Sequence, residues 1–279
     1  MLAATLCLLN ARGWHHRCVS PVMQEGSADA EMMRMLARRM AEQRTAVEPE
    51  PAHLLVMDAM VPRQTMHLES APSAFVERLR ALRDASESAA PIVMVGKHRW
   101  LHSRGVEVSV SAATSNGDVV LRAGRLCELV SVESGDGTWS DDLRAVDVSS
   151  SAWDGPRDAR VRWLACDTPG EATLLSDAQR SDNLRAVVDE WVDKVRRSGR
   201  ERFRGQLDII LDSLGPMPPS AKVSERCMWV AALLAPYPRL ALANDIRPTV
   251  LMAPNAAARL DAAEMAIADS IARLEIDWI

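Results

Sequence analysis

Lysine is almost missing from this chain: only Lys97, Lys194 and Lys222 stand among 33 basic residues. A GC-rich genome produces such a bias toward arginine through its codons. Aromatic residues are also scarce, with one tyrosine and two phenylalanines beside eight tryptophans. Few stacking platforms and a formal net charge of −5 argue against nucleic acid as the main partner, because such binders present aromatic faces on a basic surface. The five cysteines, Cys7, Cys18, Cys127, Cys166 and Cys227, are widely spaced with no CxxC pair. An odd count at that spacing reads as reduced core thiols, not as a disulfide framework or a zinc site. No apolar run approaches the roughly 20 residues that a membrane-spanning helix needs.

The signatures of common chemistry are absent too. There is no P-loop to cradle nucleotide phosphates, and the Gly96-Lys97 pair lacks the upstream glycine of one. GxGxxG, HExxH and GxSxG do not occur. His98 and His102 are spaced as a pair of metal ligands on a helix would be, but they lie between two strand patterns with no third ligand nearby. Asp136, Asp141 and Asp142 lack calcium-loop spacing and read as a solvated loop. Arg196, Arg197, Arg200, Arg202 and Arg204 form a basic patch around Gly199, which suits a helix C-terminus and would accept an anion or acidic partner. The residues alone therefore single out no catalytic, cofactor-binding or metal-ligating position and no cofactor. The expectation is a non-enzyme, without ATPase or peptidase activity.

What is present is a foldable chain of 279 residues, 48% hydrophobic and 25% charged, enough to bury one large core or two small ones. Its organising stretch runs from Gly105 to Val132. Val106, Val108 and Val110 alternate with Glu107, Ser109 and Ser111, the period of a half-buried strand. Asn116-Gly117 then predicts a two-residue turn with positive φ at both positions. Folding back on that turn sets Val119 opposite Thr114, Leu121 opposite Ala112, Ala123 opposite Val110 and Arg122 opposite Ser111. A third strand, Leu126 to Val132, follows Gly124, giving an antiparallel meander with one buried face.

Around this stretch the chain divides into three. Residues 1–51 read as an N-terminal extension. Its first 24 residues lack acidic side chains but contain Arg12 and Arg17, either the character of an organelle transit peptide or a frayed start. A short helix over 29–44 and a proline-broken linker follow. Residues 52–168 read as β-rich: strands at 54–57, 65–68, 91–96 and 159–164, a helix at 74–82, and an excursion loop over 134–157. Residues 169–279 change to helical periodicity. Leu184, Val187, Val188, Trp191, Val192 and Val195 share a helix face, capped by Ser181 or Asp182. Phe203, Leu207, Ile210 and Leu214 form a second helix. A third, capped by Ser224, ends before Pro236, and Asn255 caps a last one through Leu274.

These features together resemble the Lon N-terminal (substrate-binding) domain family. LLVMDAMVPRQTMHL is similar to its opening strand–turn–strand motif, GVEVSV and AGRLCELV to its next strand pair, and ARVRWL to the strand closing its β-domain. MWVAALLAPYP with IRPTVLMAPNAAARLDAAE is similar to its helical part, so the resemblance covers roughly residues 52–275. Arg63 stands where the family often has glycine, and Leu126-Cys127 replaces a common arginine–aromatic pair. The resemblance implies an α+β fold, a PUA-like antiparallel β pseudo-barrel followed by an α-helical bundle. It implies a non-catalytic module that recognises polypeptide substrates for proteolysis or quality control, or meets a protease or ubiquitin-ligase partner, as in Lon proteases and cereblon-type receptors. The alternative is an RNA-binding PUA-like protein. The expected setting is intracellular, cytoplasmic or, with a transit peptide, organellar, with no membrane or nucleic-acid partner.

Overall fold

The computed structural model describes residues 48–85, 90–114, 116–134, 137–146, 157–166, 175–236 and 243–276. The chain divides into Met1–Val47 and Glu48–Ile279. The first unit, and with it the expected helix at 29–44, lies outside the described residues. The second holds an α+β fold with seven strands and six helices among the described residues.

The strands are β1 (Glu50–Met57), β2 (Thr65–Leu68), β3 (Ile92–Lys97), β4 (Leu101–Ala113), β5 (Val119–Glu133), β6 (Trp139–Ser140) and β7 (Arg157–Leu164). Helix α1 (Ser73–Asp84) lies between β2 and β3. β1 and β3 run parallel, with Leu54 opposite Val93 and Val56 opposite Val95, so the sheet is mixed and not wholly antiparallel. A parallel pair needs a long crossover, and the segment carrying β2 and α1 supplies it. The sheet then closes on itself. β5 pairs with β4 on one side and β7 on the other, β7 pairs with β1, β1 with β3, and β3 with β4. β2 stays outside this ring as an edge strand on β5.

The β4–β5 hairpin corrects the expected register. Val119 lies opposite Ala113, Val120 opposite Ala112, Leu121 opposite Val110, Arg122 opposite Ser109 and Ala123 opposite Val108. Thr114 N–H donates to Asp118 O at 2.9 Å and Gly117 N–H to Thr114 O at 3.3 Å, so three residues connect the arms instead of two. Among the loop's described residues only Gly117, at φ 92°, is left-handed; Asn116 is not. That is the geometry of a three-residue loop closed by an αL glycine. A tertiary clamp favours it: Ala71 N–H donates to Gly117 O at 2.8 Å, and a Cβ on Gly117 would meet Ala71 O at 2.7 Å. The ladder shifts twice, between Val110 and Ala112 and between Val106 and Val108. β5 passes unbroken through the second shift, so no separate third strand starts at Leu126.

The two faces of the strands feed two cores. Leu54, Val93, Val95, Cys127, Leu129, Ala159 and Val161 form the smaller one, joined by Val146 from the 134–157 segment. Leu55, Met94, Val106, Val108, Val110, Leu121 and Leu126 belong to the larger, which runs through α1 into the helical half. A strand buried on both faces reads as a continuous apolar run, which is why IVMV is buried at every position. Gly105 permits the closest approach, since a Cβ there would lie 2.3 Å from Met94 O.

The helical half contains α2 (Leu175–Ser198), α3 (Gln206–Leu214), α4 (Val223–Leu234), α5 (Ala243–Met252) and α6 (Ala256–Ile276). Asn255 caps α6 as expected, its side-chain oxygen accepting from Ala258 N–H at 2.9 Å. Two other expected caps fall inside helices. Ser181 lies a turn and more into α2 and is fully buried. Ser224 is buried in α4, where it accepts from Arg259 Nη1 at 2.8 Å. α3 starts after Gly205 (φ 83°), which leaves Phe203 outside it. α5 was not expected, because Pro248 lies within it and proline ordinarily argues against a helix interior. Its C-terminal end is tied to β4 by Arg104 Nη1, which donates to Ala253 O at 2.7 Å and Leu251 O at 3.2 Å. Trp191 Nε1 donates to Ser270 Oγ at 2.8 Å and pins α2 to α6.

Candidate peptide-binding groove

A groove of about 610 Å³ lies between the edge strand β2 and helix α3. Met66 and Leu68 of β2 turn into the larger core, while exposed His67 lines the groove. An edge strand leaves a row of backbone N–H and C=O groups available to another chain. The wall is α3, whose Leu207 and Leu214 are buried while Ile209 stays 60% exposed. Phe203, 53% exposed, extends that wall. The far side is the end of α4, with Ala232, Ala235 and Pro236, and Arg247 from α5.

Arg247 is 6% exposed. Its Nη2 lies 4.0 Å from Asp58, a carboxylate that is itself 78% exposed. Burial lowers the guanidinium pKa from its ordinary value, and the attraction of Asp58 opposes that shift. At the Thr65 end the groove is bridged: Thr65 Oγ1 and Ser213 Oγ are 3.1 Å apart, and Arg63 Nη1 donates to Pro216 O at 3.4 Å. Arg63 holds φ 72°, so the turn before β2 keeps a left-handed backbone with a non-glycine residue. Its N–H bonds to Ala123 O at 3.1 Å, and Ala123 N–H bonds to Gln64 O at 2.8 Å, which fixes the approach of β2 to β5. The geometry can hold an extended chain by backbone pairing and apolar contact.

A second depression, about 300 Å³, is lined by Arg63, Glu107, Arg125, Cys166, Glu225 and Met228 among others. Glu107 and Arg125 make a bidentate pair at 2.9 and 3.0 Å. Arg125 hydrogen bonding holds the Glu107 carboxyl below its usual value, against the effect of burial. Arg125 also stacks on Trp163 at 4.0 Å, and Trp163 Nε1 donates to Glu50 at 2.8 Å. These residues satisfy one another and tie β1, β4, β5 and β7 together.

The positions weighed in the sequence are dispersed. His102 is half-buried with its Nδ1 unpartnered, and burial followed by repulsion from His98 lowers its pKa. Gly96 leaves room for that ring, since a Cβ there would lie 2.7 Å from Nδ1. Among the described residues no group of three His, Cys, Asp or Glu side chains is placed to hold a metal ion. Asp142 caps its own turn by accepting from Arg144 N–H at 3.0 Å; Asp136 lies outside the described residues. The basic patch splits: Arg196 pairs with Asp208 at 2.9 Å, Arg200 donates to Arg273 O at 3.4 Å, and Arg202 lines the groove. Burial pushes the Cys127 thiol up to about 12. Cys166 and Cys227 are in no disulfide among the described residues, and Cys7 and Cys18 lie outside the described residues. Among the described residues no helix is long and apolar enough to cross a membrane.

The groove was not visible in the sequence. Phe203 reads there as part of a helix face with Leu207, Ile210 and Leu214, Ile209 is not singled out, and nothing local marks β2 as an edge. The available signal was the shortness of the TMHL strand between a turn and Pro72.

No protein-family model matches the chain, and no curated protein matches it. Solved structures similar to it include the N-terminal domain of Mycobacterium avium complex Lon protease, at 14% identity and a TM-score of 0.46, covering 80% of this chain and 99% of that one. Another is a Lon N-terminal domain protein from Xanthomonas campestris, at 15% identity and a TM-score of 0.39, covering 76% of this chain and 95% of that one. Both bear the name of the family that the sequence motifs resemble.

Proposed function

We propose that this chain is a non-catalytic polypeptide-recognition module that serves protein degradation or quality control, delivering bound chains to a protease or ubiquitin-ligase partner. An extended apolar segment of the client pairs with the edge of β2 and packs its side chains on Ile209 and Phe203. The observation that carries this reading is the coincidence, in one groove, of a free strand edge and two large apolar side chains left in water. Strand addition of this kind takes affinity from main-chain hydrogen bonds and selectivity from alternate side chains. The test is a titration with a permanently unfolded protein at two salt concentrations. Binding should change little with salt, because apolar burial drives it, and Ile209→Asp should weaken it about tenfold or more without moving the melting temperature.

A second reading, RNA binding, rests on the β3–β4 hairpin tip. There Lys97, His98 and Arg99 adjoin Trp100, which is 42% exposed and lies 4.7 Å beneath the Arg99 guanidinium. Phosphate contacts make such binding fall steeply with salt. Tight, salt-sensitive binding of single-stranded RNA with no affinity for the unfolded protein would replace the first reading by this one.

A further inference from the structure

We infer that the tip of the β3–β4 hairpin is a docking surface for an acidic polypeptide segment, with Arg99 and Trp100 as its contact pair. It gives the protease or ligase partner a place to attach. That role rests on the polypeptide-recognition reading. The contact itself does not, since the tip shares no lining residue with the β2–α3 groove.

Three features lead to it. The first is charge. Residues 91–106 contain Lys97, Arg99, Arg104, His98 and His102 and no acidic side chain, in a chain whose net charge is −5. The sheet register sets Met57 opposite Gly96, which brings Asp58 beside the hairpin, but that carboxylate also faces Arg247 at 4.0 Å. Glu107, the next acid along β4, is paired with Arg125. Lys97, Arg99 and Arg104 outnumber Asp58, so the tip is positive on an acidic molecule, a field that steers a segment of opposite charge. The second feature is Trp100. Residues 97–100 are exposed in succession, and His98 N–H donates to Trp100 O at 3.2 Å, closing the turn. The indole is 42% exposed and lies 4.7 Å from the Arg99 guanidinium. Tryptophan and arginine are favoured anchors of protein interfaces, and methionine is enriched there too. Met252 stands beside the same hairpin, 37% exposed, its Sδ 3.9 Å from Ser103 Oγ. Single-stranded RNA, by contrast, is held by successive aromatic faces along a basic groove. The tip offers one ring with a guanidinium already over it, so these observations favour a polypeptide. The third feature is rigidity. Lys97 lies opposite Leu101 across the turn, and Leu101 is buried in the smaller core. Arg104 ties the hairpin to the end of α5 through the Leu251 and Ala253 carbonyls. A surface held this firmly loses little conformational freedom when a partner binds.

The experiment uses a fluorescein-labelled peptide of glutamates flanking a central Leu-Leu, about ten residues long, and a control in which every glutamate is glutamine. Fluorescence anisotropy with the full chain reads each affinity at low and at high salt. At low salt the acidic peptide should bind about tenfold or more tighter than the control, and added salt should erode that margin. Arg99→Glu should abolish the margin. Trp100→Ala should weaken the acidic peptide about fivefold or more and leave the melting temperature unchanged, since the side chain is exposed. Arg197→Glu, in the other basic cluster at the end of α2, should leave the margin in place.

No margin of the acidic peptide over its control, or a margin that Arg99→Glu leaves intact, overturns the inference. Loss of the acidic peptide on Ile209→Asp overturns it too, because the groove would then be the binding site. A uridine oligonucleotide of equal length that binds tighter than the acidic peptide, and is lost with Trp100→Ala, replaces the inference by the RNA reading. Binding of the permanently unfolded protein should survive Arg99→Glu, so failure at the tip and failure at the groove are read separately. Its loss would put the client at the tip and overturn the partner's place there.

Discussion

Helices α3 and α4 are neighbours in the chain and opposites in their surroundings. Every residue of α4 from Arg226 to Leu234 is buried, and the helix packs against α2, α3, α5 and α6. α3 buries Gln206, Leu207 and Leu214 and leaves Ile209 to solvent. Both sequences are apolar enough to read as core. The difference shows that apolar content alone does not say whether a helix completes the core or lines a surface where something else docks. An isolated exposed apolar residue needs no explanation. Ile209 and Phe203 beside an unpaired strand edge do.

The sharpest test of that contrast is Leu233→Ala. Leu233 is fully buried in α4, so the cavity should cost about 2–5 kcal/mol, read as a fall in the urea midpoint. Next comes Arg226→Ala. Arg226 is 3% exposed; its Nε donates to Pro218 O at 2.8 Å and its Nη1 to Ser181 O. Removing it strands the buried Pro218 carbonyl, at about 1–3 kcal/mol before relaxation, while the Ser181 carbonyl, interior to α2, keeps its helical acceptor role. Its melting temperature should fall clearly, though less than for Leu233→Ala. Ile209→Asp should then change stability by less than about 0.5 kcal/mol while lowering peptide affinity. A large loss of stability there would mean α3 is core after all, and the contrast would collapse.

The smallest effect lies at the exposed ion pair beside the first turn of α4. Glu107 has a folded pKa below its ordinary value of 4.5. It therefore contributes stability above that value, and the contribution is lost as pH falls through the folded pKa. Glu107→Gln should flatten the acid limb of the stability curve slightly and lower stability slightly at neutral pH, where the charged pairing is fully present. An acid limb identical to the parent's would show that Arg125 gives this carboxylate nothing beyond what the unfolded chain has.

Much of the fold was legible because periodicity encodes faces. The alternation of Val106, Val108 and Val110 placed these residues on one buried face with Leu121 and Ala123, and they are there. The register was not legible. Leu121, Arg122 and Ala123 each meet a partner two residues from the expected one, a displacement that leaves these side chains on their own faces, so the pattern cannot detect it. What decided the register was the clamp between Ala71 and Gly117, a tertiary contact between segments far apart in sequence. Helix faces were legible for the same reason as strand faces, whereas helix starts were not. Ser181 and Ser224 are good caps in isolation, yet Arg226 and Arg259 recruit the carbonyl of one and the hydroxyl of the other inside the core. α5 was hidden by Pro248. The groove left almost no local trace, because an edge is defined by the strand that fails to appear beside it.

The closed ring of strands has a consequence for how the chain reaches its native state. β1 meets β7 through His53 and Asp158, 105 positions apart, and β5 must hold both β4 and β7. Pairings between such distant segments are slow to form, because much chain entropy is lost before any contact rewards it. During synthesis β1, β3, β4 and β5 can emerge and pair while the side of β1 that faces β7 waits for Leu164. Until then two unsatisfied edges are available for intermolecular pairing. Nascent chains arrested before Leu164 should aggregate, and those extended past it should not. The last strand to be made is the latch of the barrel.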